Sequence, residues 1–206
     1  MDNTVELIGY YGGDESHALS AWTSTSRELT EEKQNRIPKL LKMLAENGHE
    51  TPFEKSFLHF LVTCDTASHI HLIKHRIGVS INAESARYKE LKEDKFYVPD
   101  DWPERIKAWL DEQMVQSYMT YHLVIEELVK EGYDRKRAKE SARFFIPYAN
   151  QLTLDVGFNF RSFIHFQKLR NKPDAQKEIR EIAQQMLQLV KDTGAFNESL
   201  KGFGYV

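Results

Sequence analysis

From Trp102 to Lys130 apolar residues recur at Ile106, Trp109, Leu110, Met114, Tyr118, Tyr121, Val124 and Leu128, and no glycine follows until Gly132. That spacing predicts one amphipathic helix roughly 40 Å long, which needs a helix-rich body to cover its apolar face. The segments around it alternate between two periods. Thr4 to Tyr11 mixes β-branched and aromatic residues and stops at Gly12-Gly13, and Phe57 to Thr63 is a short apolar run bounded by polar residues. Gln151 to Phe160 alternates loosely. These three predict strands, with a brief fourth at Phe96 to Pro99, where proline ends it. Helices are expected over Asp14–Ser26 and from Thr30-Glu31-Glu32-Lys33 to the stop at Asn47-Gly48, with Ile37, Leu40, Leu41 and Leu44 on one face. Others are expected over about Ala67–Arg76, Arg135–Phe145, Ser162–Arg170 and Asp174–Lys191. Ile77 to Leu91 follows no single period.

The expectation is an α/β (α+β) fold, a single helix-rich domain over residues 1–206 around a small mixed or antiparallel sheet. At 206 residues, 41% hydrophobic, with 12 Phe, 9 Tyr and 3 Trp, the chain can bury a core and is too apolar for a disordered one. A net charge of −3 argues against a surface held to nucleic acid by general basicity, so any anion site must be local. One cysteine, Cys64, excludes an internal disulfide and a multi-cysteine zinc site, and points to a reducing compartment. No apolar run of 18 residues and no basic, apolar N-terminal leader occurs, so a soluble cytoplasmic protein without membrane partners is expected.

Chemistry concentrates between Lys74 and Tyr88, in the run KHRIGVSINAESARY. Three potential cations end an expected helix, and hydroxyl, amide and guanidinium groups follow, which is equipment for phosphates or a nucleotide. Cations at a helix C-terminus are also favoured by the helix dipole alone, so spacing leaves both readings open. His69, His71 and His75 suggest a metal, but no cysteine or carboxylate stands at complementary spacing, and none is expected. Arg161, His165 and Leu169, spaced i, i+4, i+8, equally mark one helical face.

This run resembles the RHR-x7-S signature of the flavin-dependent thymidylate synthases, which continues into Ser-x-Arg-Tyr. Lys74 stands at the first arginine, and eight residues rather than seven separate Arg76 from Ser85. Three further blocks follow the order of that family. Gly48 to Glu54 (GHETPFE), Ala142 to Pro147 (ARFFIP) and the run from Asn159-Phe160-Arg161-Ser162 through His165, Leu169-Arg170 and Ala175-Gln176 to Glu178-Ile179 extend the resemblance over most of the chain.

The resemblance implies reductive methylation of dUMP to dTMP, with FAD as cofactor and 5,10-methylenetetrahydrofolate and NADPH as co-substrates, in a homotetramer whose active sites are shared between subunits. It implies flavin contacts at Ser24, His49, Thr51, Glu54, Lys74, His75, Arg76, Asn159, Arg161 and His165. Nucleotide contacts are implied at His71, Ser85, Ala86, Arg87, Arg143 and Arg170, with Ser85, Arg87 and Arg170 nearest the chemistry. His71 stands where the family often has glutamine, and Ala83 where an acidic residue is common. A different C5 modification such as hydroxymethylation is the neighbouring alternative, and a non-catalytic nucleotide or nucleic-acid binder is the alternative of another class. Cys64 has no histidine or basic cluster beside it in sequence to activate a thiolate, and is expected as a small buried hydrophobe. Trp109, Tyr118 and Tyr121 are expected in the core.

Overall fold

The computed structural model describes residues 1–85, 90–91 and 94–205. Its strands are β1 (Thr4–Tyr11), β2 (Phe57–Asp65), β3 (Val79–Ala83) and β4 (Gln151–Asn159). Its helices are α1 (Asp14–Trp22), α2 (Glu31–Glu46), α3 (Thr66–Leu72), α4 (Glu104–Lys130), α5 (Arg135–Ala142), α6 (Phe160–Arg170), α7 (Lys177–Asp192) and α8 (Asn197–Gly202). Short 3-10 turns lie at Thr51–Glu54 and Arg143–Phe145.

The strands form one sheet in the order β1-β2-β4-β3. Asn159 N–H donates to Gly78 O (3.0 Å) and Glu84 N–H to Thr153 O (2.9 Å), so β4 recedes as β3 advances. Likewise the Phe57 ring lies against Gly157 while Thr63 meets Thr153, so β2 and β4 are antiparallel. The expected fold class holds, a helix-rich chain with a small antiparallel sheet. Local chemistry explains the helix starts: the Thr30, Asp134 and Asn159 side chains accept first-turn backbone N–H groups of α2, α5 and α6.

Some expectations need correction. The helix expected to reach Arg76 ends at Leu72, because residues 73–78 turn the chain into β3 with Gly78 at φ +66°. Val79–Ala83, in the stretch without a clear period, is a strand whose residues alternate half-buried and exposed over too few positions to register. Phe96 forms only an isolated antiparallel bridge with Asn150. Helix α8 was not anticipated.

The chain divides into two compact units. The first comprises Met1–Thr4, Thr63–Leu72 and Asn82–Leu154. Tyr121 and Ile125 of α4 and Ala138 and Ala142 of α5 form a fully buried cluster there. Tyr118 is also buried, whereas Trp109, expected in the core, is instead 56% exposed under the Arg105 guanidinium. Nine residues separate Trp109 from Tyr118, which at 100° per residue puts them on opposite sides of the helix.

The second unit comprises Val5–Val62, Ile73–Ile81 and Asp155–Val206. Leu58, Phe60 and Val62 alternate on β2, Val156 and Phe158 on β4, and all are fully buried with Phe163 and Phe166 of α6. Ile179, Ile182, Ala183, Met186 and Val190 supply the buried stripe of α7. Each large apolar side chain so removed from water contributes about 1.5–3 kcal/mol. No helix among the described residues is long and apolar enough to cross a membrane.

Candidate functional site

In the second unit, β4 ends where α6 begins, and Asn159 makes the joint. Its Oδ1 accepts the Ser162 N–H (2.8 Å), while Ser162 Oγ donates to Ile77 O (2.6 Å), tying the turn before β3 to the start of α6. Arg161 emerges in the first turn of α6. Its Nε donates to Glu50 Oε2 (2.8 Å) and its Nη1 to Glu54 Oε1 (2.6 Å). A cavity of about 240 Å³ is lined by Glu50, Glu54, Ile77, Asn159, Arg161, His165 and Lys168. Four expected flavin residues, Glu54, Asn159, Arg161 and His165, therefore converge. Sequence reasoning missed Glu50 and Lys168. Lys168 lies seven residues, two helical turns, beyond Arg161, and that spacing was the available signal.

Other expected flavin residues lie elsewhere in this unit. His49 and Thr51 line a separate shallow cavity with Ala21, Met43, Leu44 and Pro52. Ser24 is exposed beyond α1 and its Oγ donates to Ala21 O (3.2 Å). His75 is buried, packs edge-on against Phe166 at 5.0 Å and accepts a hydrogen bond from Arg170 Nε at 3.1 Å. Lys74 and Arg76 on either side of it are exposed, and neither has an ion-pair or hydrogen-bond partner among the described residues. Lys74 and Arg76 flank a buried imidazole whose ring lies 6.0 Å from that of His165, and such cations suit the phosphates of a flavin.

In the first unit a cavity of about 350 Å³ is lined by Ser85 and Arg143, with Thr63, Thr66, Asn150, Gln151 and Thr153 among its polar groups. Its volume falls in the range of small-molecule sites. Arg143 begins the 3-10 turn after α5 and is exposed, and its guanidinium has no ion-pair or hydrogen-bond partner among the described residues. The wall is internally braced. Thr66 N–H donates to Tyr148 O and Asn150 O, the Thr63 and Thr153 hydroxyls pair at 3.0 Å, and Glu84 Oε2 accepts the Thr153 N–H at 2.9 Å. His71 sits half-buried in the last turn of α3. Ala86 and Arg87 lie outside the described residues. The side chains of Thr63, Thr66, Asn150, Gln151 and Thr153 carried no motif that sequence reasoning recognised.

Cys64 is fully buried on β2, and burial together with the neighbouring Asp65 carboxylate pushes its thiol pKa well up, away from the reactive thiolate. Among the described residues no group of three or more histidine, cysteine, aspartate or glutamate side chains is arranged to hold a metal.

The profile of the family described as "Thymidylate synthase complementing protein" matches residues 6–193. A flavin-dependent thymidylate synthase of Pseudothermotoga lettingae is 33% identical over 194 residues, covering 91% of this chain and 84% of the relative. One from Pyrococcus furiosus is 32% identical over 183 residues, covering 88% and 70%. Among solved structures, a UMP/dUMP methylase from Streptomyces cacaoi, bound with 5-Br dUMP, superposes with a TM-score of 0.80 at 27% identity, covering 98% of this chain and 94% of that one. Because the family match runs through both units and takes in every block around which the two polar cavities are built, the chain belongs to the family of flavin-dependent thymidylate synthases.

Proposed function

We propose that this protein is an FAD-dependent thymidylate synthase, acting as one catalytic domain, that converts dUMP to dTMP with methylenetetrahydrofolate as carbon donor and NADPH as reductant. The observation that carries the substrate reading is Arg143, whose guanidinium has no partner among the described residues and lies on a polar cavity that Ser85 also lines. A guanidinium without a carboxylate partner is suited to a nucleotide phosphate, and threonine, asparagine and glutamine groups suit sugar hydroxyls and the pyrimidine edge. Arg170, Ser85 and Arg87 are assigned to the nucleotide, and His71 to its periphery.

When bound, the flavin supplies the hydride. The chain's own residues bind and orient: Lys74 and Arg76 neutralise phosphate, Arg161 and His165 frame the cofactor with Glu54 and Asn159, and His49, Thr51 and Ser24 complete its contacts. A cysteine nucleophile is absent from this reaction, which accords with the buried, unactivated Cys64. Assembly as a homotetramer with shared active sites is supported by Val115, Met119 and Leu123, an exposed apolar row at i, i+4, i+8 on α4. Work in the cytoplasm is supported by the unpaired cysteine.

Purified protein is expected to be yellow, and to form dTMP from dUMP only when both methylenetetrahydrofolate and NADPH are present. Arg143→Ala should raise the KM for dUMP without loss of flavin. Colourless protein with no turnover refutes the reading. UMP is the second substrate to assay, since the solved methylase from Streptomyces cacaoi is bound with 5-Br UMP as well as with 5-Br dUMP. Mass spectrometry of the product separates methylation from hydroxymethylation.

A further inference from the structure

The cavity that takes Arg143 and Ser85 has a wall formed by Leu91, Asp94 and Lys95, and that wall is fastened from behind by α4 and α5. The Leu91 N–H donates to the Tyr121 hydroxyl oxygen at 3.2 Å. The Tyr118 hydroxyl lies 2.8 Å from the Lys95 carbonyl oxygen and 2.9 Å from Asn150 Oδ1. His122 Nε2 stands 3.3 Å from Asp94 Oδ1, and Arg135 binds Glu90 at 3.1 Å while its other terminal nitrogen holds Glu126. On the far side Gln151 N–H donates to Lys95 O and Tyr97 N–H to Ala149 O, both at 2.9 Å, so Lys95 and Tyr97 are tied to β4 and the residues before it.

The two phenols have different surroundings but one target. Tyr118 is almost fully buried, with its ring 6.3 Å from that of Phe96, and Tyr121 is fully buried in the α4–α5 cluster. Burial raises the pKa of both phenols, so each keeps its proton at neutral pH. They are three residues apart on one helix face, and between them they grip Leu91 and Lys95 while Tyr118 also touches Asn150. Leu91, Lys95 and Asn150 all line the cavity. Packing alone does not require two buried hydroxyls to meet the backbone at two cavity-lining residues, Leu91 and Lys95.

We propose that Tyr118 and Tyr121 are positioning residues for the nucleotide, holding Leu91, Lys95 and Asn150 as a preformed wall against which the nucleotide binds. They act through that wall and touch no reacting atom. A wall ordered before binding spares the nucleotide the entropy of ordering it, so the effect falls on affinity and not on the chemical step. The inference rests on the nucleotide reading of this cavity.

Calorimetric titration of the flavin-loaded full chain with dUMP, together with steady-state kinetics, tests it. Tyr118→Phe keeps the ring and removes the hydroxyl; it is expected to weaken dUMP binding and raise KM about threefold to tenfold, the effect of one buried hydrogen bond, with kcat changed by less than about twofold and flavin content unchanged. Tyr121→Phe should shift both constants in the same direction by about twofold to fivefold. If Tyr118→Phe does not fold, Tyr121→Phe carries the test alone. A lower Tm with an unmoved Kd and KM in the variants that fold overturns the proposal, since it describes a merely structural role. Failure of the wild-type chain to bind dUMP overturns the nucleotide reading and this inference with it, whereas wild-type binding unaltered in both variants overturns this inference alone.

Discussion

Arg170 Nε donates to Nε2 of the buried His75 across 3.1 Å. The accepting nitrogen carries no proton, so in this geometry the imidazole is the neutral Nδ1–H tautomer. The bond engages the side of the guanidinium and thereby aims its planar fork, which a lysine cannot reproduce. Arg170→Lys should therefore lower turnover and dUMP affinity about tenfold to a hundredfold, the range for a hydrogen bond to a charged group, while the protein keeps its flavin. His75→Phe retains the packing on Phe166 but offers no acceptor, and should give a smaller loss of the same kind. Kinetics paired with the visible spectrum checks both, and a wild-type rate in Arg170→Lys would count against a role for the fork.

Arg161 is the hub of the other cavity. Its hydrogen bonds to Glu54 and Glu50 push its pKa further above the usual arginine value. Arg161→Ala leaves two carboxylates facing the site proposed for the anionic cofactor, so flavin content should fall sharply. The side chain is 47% exposed, and exposed ion pairs contribute little, so Tm should move by no more than about 3 °C. His49→Ala should likewise cost flavin more than dUMP binding. Flavin occupancy equal to wild type in both variants would remove these residues from the cofactor site.

Much of this was legible because local chemistry and tertiary structure agree. Thr30 and Asn159 sit where an N-cap is needed, Gly12-Gly13 and Asn47-Gly48 stop their elements, and the short apolar run Phe57–Thr63 between polar residues marks a strand. The unread parts depend on distant partners. Glu50 meets Arg161 from 111 residues away, and no spacing within either segment announces it. Tyr118 and Trp109 look alike in a list of apolar positions, and only their angle around α4 separates a buried clamp from an exposed ring. Val79–Ala83 becomes a strand because β4 supplies its edge.

Gly78 tests whether the longer loop is shaped by its backbone. With φ at +66° it occupies a region that side chains rarely adopt, and an added Cβ would collide with the Asn159 side chain and Ser162 Oγ, the pair that starts α6. Gly78→Ala is thus expected to cost about 1–3 kcal/mol of stability and, by displacing Asn159, to lower flavin retention. Chemical unfolding and flavin absorbance measure the two effects. A variant as stable as wild type would show that the loop has room to rearrange.

His17 sets an acid limit on stability. Its ring is fully buried, with Nδ1 2.8 Å from Ser199 Oγ and Nε2 2.7 Å from Ser56 Oγ. Ser199 gives its own proton to Asp14 Oδ1 at 2.6 Å, so it accepts from Nδ1–H, and in the neutral imidazole Nε2 accepts from Ser56; protonation of the ring would end that second arrangement. Phe53 and Phe160, each 5.2 Å away, complete a dry shell, and burial holds the His17 pKa down to about 3 from 6.5. The unfolded chain takes up this proton below pH 6.5 and the folded chain does not, so stability falls as pH drops from 6.5 toward 3, by up to about 1.4 kcal/mol per pH unit. Burial raises the Asp14 carboxyl, whose contribution has the opposite sign: it is present in full below 3.8 and lost as pH rises through the folded-state value. His17→Gln should be less stable than wild type at pH 7.5, and the gap should narrow by up to about 2 kcal/mol by pH 5.0 as the wild type alone loses this term. Guanidinium unfolding at the two pH values measures it, and a gap that stays constant would mean that His17 titrates alike in both states.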